Sequence, residues 1–174
     1  MNATTSKPSQ AANSQKFLTF ELGGETYGVE ILRVQEIIGI QNVTRVPRMP
    51  GFVRGVINLR GRIIPVIDLR TRFGIKETPD TEHTCIVITQ INGPSGPLTM
   101  GIVIEEVSEV IDIPEGQVES APELGMGIRT DFLLGMGKLG DAIVILLDIE
   151  KVLSHTDLEA LDDVHEIDTD KKVD

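Results

Sequence analysis

The alternation of apolar and polar positions divides the chain into a series of short strands. KFLTFEL (residues 16–22) has the period of a strand, and TYGVEI (26–31) returns after Gly23 and Gly24, which predicts a β-hairpin. LRVQEIIGI (32–40) fits a helical turn through Leu32, Gln35 and Glu36, or a strand through its isoleucines. VPRMPG (46–51) is a loop, because Pro47 and Pro50 break a helix or a central strand. VRGVINL (53–59) and RIIPVIDL (62–69) predict a second hairpin around Arg60 and Gly61. Pro65 has no N–H for a ladder, so its strand is expected at an edge or at a bulge. LRTRFG reads as one helical turn stopped at Gly74. TCIVIT and LTMGIVI pair across the loop NGPSGP, and DAIVILLDI (141–149) is the last long strand. SHTDLEALDDVHEI (154–167) reads as a helix capped by Ser154 or Thr156, with Leu158, Leu161 and Val164 on one face. Residues 1–15 have no apolar periodicity and are expected to be disordered.

The strand patterns repeat. GVEILRVQEII matches GIVIEEVSEVI, placing Gly28, Ile31, Val34 and Glu36 against Gly101, Ile104, Val107 and Glu109. FVRGVINLRGRIIPVIDL matches FLLGMGKLGDAIVILLDI, placing Phe52, Gly55, Leu59, Ile63 and Asp68 against Phe132, Gly135, Leu139, Ile143 and Asp148. Two blocks in the same order imply two similar small β units, and closure into a barrel would remove the exposed edges of each. The expected boundaries are a segment 1–15, a domain 16–153 with lobes at about 17–76 and 77–153, and a helix with an acidic tail at 154–174.

Composition narrows what such units can do. The 174 residues are 40% hydrophobic but only 3% aromatic, so the core is built from Ile, Val and Leu. Net charge is −11 and unevenly spread. Residues 17–76 hold nine Lys/Arg against five Asp/Glu, whereas residues 77–156 hold three against fourteen. That split favours oppositely charged surfaces. The acidic balance and scarce aromatics argue against nucleic acid. AIVILL is far too short to cross a bilayer, and the start has no apolar core of a signal peptide, so a cytoplasmic protein is expected. The single Cys85 lies in a strand pattern and excludes an intramolecular disulfide. His83, His155 and His165 have no metal-ligand spacing, and no G-x-S-x-G occurs, so no metal, no cofactor and no catalytic site are expected. GMGKLG (135–140) matches a dinucleotide fingerprint in letters, but a strand follows it where a helix is required.

One stretch keeps polar residues that strands do not need: GFVRGVINLRGRIIPVIDLR (51–70). Arg54, Asn58, Arg60 and Arg62 become Leu134, Lys138, Gly140 and Ala142 in the repeat. The fold therefore does not require them, which favours a partner-binding role. This stretch, with FLTFELGGETYGVEILRVQEI and LGMGKLGDAIVILLDIEKVL, resembles the CheW-like domain family of chemotaxis coupling proteins over residues 16–153.

The resemblance implies a mainly β fold: two five-stranded, SH3-like β-barrel subdomains with an apolar groove between them and a short C-terminal helix. It implies a non-enzymatic adaptor that couples the cytoplasmic tips of transmembrane chemoreceptors to the regulatory domain of the histidine kinase CheA. Such proteins are recruited to membrane-bound arrays without inserting in the membrane and can assemble in rings with the kinase. By motif match the receptor-binding residues would be Val34, Glu36, Arg54, Gly55 and Arg60; Asn58 joins them from the repeat. Val34 would supply apolar contact, Gly55 would let a helix approach closely, and Arg60 would pair either with Glu36 or with a receptor group. The alternatives are a regulatory module of another chemosensory pathway, or a small-ligand-binding β-barrel. A free-standing protein is expected over a fragment of a larger one.

Overall fold

The computed structural model describes residues 14–120, 132–154 and 156–161. The expected disorder of residues 1–13, the face position of Val164 and the rest of the tail lie outside these residues. Ser14 and Gln15, expected to be disordered, belong to the first strand.

Eleven strands run in chain order: β1 (Ser14–Leu22), β2 (Glu25–Glu30), β3 (Val34–Gly39), β4 (Val53–Leu59), β5 (Arg62–Asp68), β6 (Cys85–Gly93), β7 (Gly96–Ile104), β8 (Glu106–Pro114), β9 (Val118–Glu119), β10 (Leu133–Leu139) and β11 (Ala142–Leu147). The ambiguous stretch after β2 takes both of its readings: Ile31–Arg33 is a 3-10 turn and Val34–Gly39 is a strand. The predicted helical turn is α1 (Leu69–Phe73), ended by Gly74 in the left-handed region at φ 73°.

Two sheets result, in the orders β8-β1-β2-β11-β10-β9 and β3-β6-β7-β5-β4. The fold is mainly β as expected, but the units are open sheets of six and five strands, not closed barrels. The sheets also do not divide the chain at residue 76. β1 and β2 join the second-half strands β8 to β11, while β6 and β7 join β3, β4 and β5. Under the repeat, β1 and β2 correspond to β6 and β7, β3 to β8, β4 to β10 and β5 to β11. Read this way the two sheet orders coincide, and each repeat has given its first hairpin to the other's sheet. The joints are the parallel pairings of β11 with β2 and β5 with β7, which include Leu146 opposite Gly28 and Val66 opposite Gly101, and the antiparallel pairings of β1 with β8 and β3 with β6.

This exchange determines where the core sits. The largest apolar cluster joins Leu18, Phe20 and Leu22 of one hairpin to Val87, Ile91 and Met100 of the other. The expected apolar groove between the units is, over these residues, a filled core. Each buried side chain there contributes roughly 1.5–3 kcal/mol. Each sheet also curls around a small core of its own: Ile57, Ile64, Val66, Ile86, Ile88 and Val103 in the five-stranded sheet, and Phe17, Ile111, Ile113, Val144 and Leu146 in the other.

Of the two settings expected for Pro65 the edge is not met, since its strand is interior, while the β4–β5 ladder does bulge beside it, between Val53 and Gly55 on the partner strand. Its missing N–H is tolerated because the ladder between β5 and β7 starts only at Val66. The expected C-terminal helix is present over the described residues 156–161, and Ser154 caps it in a reciprocal box: Asp157 N donates to Ser154 Oγ at 3.1 Å and Ser154 N to Asp157 Oδ2 at 3.0 Å. The helix then docks Leu158 and the fully buried Leu161 on the central cluster.

Candidate functional site

The five-stranded sheet ends in β3 on one side and β4 on the other. Because it curls, these two edges approach each other and form a seam. Part of the seam is backbone: Thr44 N donates to Val56 O and Val56 N to Thr44 O, both at 2.8 Å. The rest is a side-chain clasp. Arg60 donates from Nη1 to Glu36 Oε2 at 2.7 Å and from Nη2 to Glu36 Oε1 at 2.6 Å, a two-pronged contact between the β4–β5 turn and β3. Of the two partners open to Arg60 on sequence, the folded chain itself supplies Glu36. Hydrogen bonding from Arg60, opposed by some desolvation and helped by its charge, holds the Glu36 carboxyl below its usual range. The same bond and the carboxylate charge raise Arg60. Both groups therefore stay ionised throughout the neutral range. The Arg60 side chain is 69% exposed, so the clasp lies at the surface.

The turn that presents Arg60 is strained at that residue. Arg60 has φ 53° and Gly61 φ 86°, as a two-residue hairpin turn matched to the strand twist requires. Asn58 Oδ1 accepts from Gly61 N at 2.8 Å and closes the turn. In the repeat, Gly140 (φ 64°) stands where Arg60 does and meets the backbone demand without a side chain. An arginine held left-handed where glycine would serve is a side chain kept for something other than the turn.

The other site residues fall elsewhere on the seam. Val34 is half-buried and packs against the central cluster, and the ladder to β6 shifts register between Val34 and Glu36. Gly55 is a bulge glycine with φ 149°. A Cβ there would lie 2.2 Å from Thr44 O and 2.8 Å from Val43 Cγ1. Its missing side chain thus makes room for the chain's own Val43 and Thr44, beside the close approach of a partner helix expected from the sequence. Arg54 is ion-paired with Asp80 on the loop before β6. Six residues of extended strand, about 20 Å, separate it from Arg60, so the arginines form two stations and not one cluster. Among the described residues Arg62 reaches only Thr99 Oγ1, at 3.5 Å.

Sequence reasoning missed Ile37 and Leu32. Leu32 is 91% exposed in the 3-10 turn, and Ile37 is 43% exposed beside Glu36. Once β3 is read as a strand, alternation places Ile37 on the outer face, and that apolar outward position is the signal. The charge split survives the hairpin exchange because β6 and β7 carry no charged residue. The six-stranded sheet holds seven Asp/Glu and two Lys/Arg on its strands, whereas the five-stranded sheet holds two of each, with Arg45, Arg48 and Arg60 on its connections. Among the described residues no helix is long and apolar enough to cross a membrane. Burial raises the Cys85 thiol, a backbone hydrogen bond at Val107 only partly offsetting it, so its reactive thiolate form is suppressed.

A family model described as the CheW-like domain matches residues 16–157. The chain is 41% identical over 162 residues to the chemotaxis protein CheW of Klebsiella aerogenes, covering 93% of this chain and 95% of that one. It is 34% identical to the chemotaxis protein CheW of Treponema pallidum, over 87% of this chain and 90% of the relative. The solved structure of the scaffolding protein TtCheW from Thermoanaerobacter tengcongensis superposes with a TM-score of 0.73 at 35% identity, covering 82% of this chain and 90% of that one.

Proposed function

The chain belongs to the CheW-like domain family, and from that premise we propose that it is a cytoplasmic, non-enzymatic adaptor joining chemoreceptor tips to the regulatory domain of the kinase CheA within membrane-associated arrays. The observation that carries the receptor half is the Arg60–Glu36 clasp, displayed on a turn whose repeat uses glycine. A receptor tip is a pair of helices. Glu36, Asn58 and Arg60 form one station along the seam, Arg54 and Gly55 stand at the other, and Val34 lies on β3 two residues before Glu36. The exposed Arg60 side chain offers planar, charged donors to a helix carboxylate or carbonyl, and Ile37 beside Glu36 offers apolar area.

Arg60→Gly tests this cleanly. Glycine is native at the corresponding position of the repeat, so the variant folds with an unchanged or slightly raised Tm. Binding of a receptor cytoplasmic fragment falls about tenfold or more, as loss of a charge-assisted contact in an interface requires. Binding to the kinase regulatory domain is retained. Normal receptor binding by Arg60→Gly removes the site assignment. A wild type that binds neither partner removes the adaptor reading itself.

The acidic six-stranded sheet and the basic connections of the five-stranded sheet also favour a head-to-tail contact with the kinase domain, in which unlike surfaces meet and rings can close. Charge complementarity acts mainly on register and association rate. Kinase association therefore slows as salt rises from about 0.05 to 0.5 M, where screening shortens from roughly 14 Å to 4 Å. An association rate constant across that range counts against the polarity argument.

A further inference from the structure

We propose that the acidic C-terminal segment, residues 162–174, docks back onto an arginine-lined groove formed by the loop between β3 and β4. The groove has a volume of about 340 Å³. Arg45, Arg48 and Arg54 line its rim and Val46, Met49 and Val53 its apolar parts, and no carboxylate side chain is among its lining residues. Arg54 is already paired with Asp80. Arg45 and Arg48 are exposed and make no ion pair among the described residues. Arg48 is moreover held at φ 65°, a conformation a non-glycine residue rarely adopts. The groove is thus a basic surface short of counter-charge in a chain of net charge −11.

The segment has the matching chemistry. It carries Asp162, Asp163, Glu166, Asp168, Asp170 and Asp174 against Lys171 and Lys172, and it spaces Val164 and Ile167 among the acids. It also starts in the right place. Leu161 is fully buried in the cluster that contains Phe52, and Met49 and Val53 pack on that same cluster. Asp157 pairs with Arg72 at 3.6 Å, and the Arg72 guanidinium lies over the Phe52 ring at 5.9 Å. The chain therefore leaves the fold beside the foot of the arginine loop. Thirteen residues reach up to about 45 Å when extended, so the span is easily covered. Tethering makes the encounter intramolecular, with an effective concentration on the order of millimolar. Opposite charges and an apolar stripe can then hold a contact too weak to form between separate molecules. Because Arg54 lines the same groove, the docked segment would compete with a partner there, a consequence that rests on the receptor-binding reading; the docking itself does not.

The test uses the full chain with a nitroxide at Val173→Cys in a Cys85→Ser background, and NMR relaxation of the labelled backbone amides. At low salt the amides of residues 45–54 broaden. The broadening drops at least threefold in Arg45→Ala/Arg48→Ala and in about 0.5 M salt. Neutralising the segment (Asp162→Asn, Asp163→Asn, Glu166→Gln, Asp168→Asn, Asp170→Asn) removes it as well. No broadening at residues 45–54, or broadening unchanged by the arginine substitutions, overturns the proposal. Equal broadening in a mixture of isotope-labelled untagged chains with unlabelled tagged chains also overturns it, by assigning the groove to a second copy.

Discussion

Arg70→Ala destabilises the protein by roughly 3–5 kcal/mol, the cost of breaking a buried ion pair from one side. Arg70 is 3% exposed, and its guanidinium is fully engaged. Nε and Nη2 donate to Asp68 Oδ1 and Oδ2 at 3.1 and 2.9 Å, and Nη1 reaches Thr78 O, Thr78 Oγ1 and Glu105 Oε2, each at 3.2 Å. One side chain thus ties α1 to the loop before β6 and to the start of β8. Glu105 carries the tie into the six-stranded sheet, because Gly23 N donates to its Oε1 at 3.1 Å. Removing Arg70 leaves the Asp68 carboxylate buried without a counter-charge. The pH dependence gives a second readout. Burial alone would raise the Asp68 carboxyl, but the Arg70 hydrogen bonds and charge, together with a hydrogen bond shared with Glu77, outweigh it and hold the carboxyl below its usual range. In the wild type, Asp68 therefore contributes stability above about pH 4 that is lost as pH falls through its lowered value. In Arg70→Ala the guanidinium hydrogen bonds and charge are gone and only the residue-70 backbone N–H and Glu77 still oppose burial, so the pKa moves up and acid relieves the variant. Urea denaturation at pH 7 and pH 4.5 should show the gap narrowing at the lower pH. A gap below about 1 kcal/mol at pH 7, or one that widens in acid, contradicts this account. Asp68→Asn combined with Arg70→Met should recover much of the loss, since the two residues act as a pair.

The internal repeat was legible because its matched residues answer local demands. Asp68 and Asp148 match because each accepts from the backbone N–H two residues on, at 2.9 and 3.2 Å, and each donates its own N–H to a matched phenylalanine carbonyl at 2.8 Å. Gly55 and Gly135 match because a Cβ at either would strike a backbone oxygen, of Thr44 or Glu119. Local pattern does not encode which sheet a hairpin joins. β2 and β7 have equivalent faces, so periodicity is equally content with either as the parallel neighbour of β5. The choice is made by the central cluster, whose members lie far apart in sequence. The site divides along the same line. Arg54 and Arg60 stood out because the repeat lacks them, whereas Asp80 sits in a loop without periodicity, and nothing near Arg54 in sequence announces it as the partner.

Gly55→Ala should cost about 3 kcal/mol or more and open the seam. The added Cβ would meet Thr44 O at 2.2 Å and Thr44 C at 2.8 Å, backbone atoms that no side-chain rotation can move. Gly55 also has φ 149°, a conformation alanine rarely adopts. Relief requires the strand edge at Val43 and Thr44 to swing out, breaking both 2.8 Å hydrogen bonds between Thr44 and Val56 at about 1 kcal/mol each, with backbone strain of roughly 1–3 kcal/mol added where it does not. Hydrogen exchange should localise the damage to the amides of Thr44 and Val56. Gly39→Ala and Gly51→Ala are the controls: nothing lies within 4 Å of an added Cβ at either, and both should stay within about 0.5 kcal/mol of wild type. If Gly55→Ala is as mild as these, the seam is not held as described. If it is severe, any loss of receptor binding in Gly55 variants reports the shape of the seam and not a missing partner contact. Arg60→Gly then becomes the substitution that separates the two, because it removes the exposed group while leaving the backbone in the conformation glycine prefers.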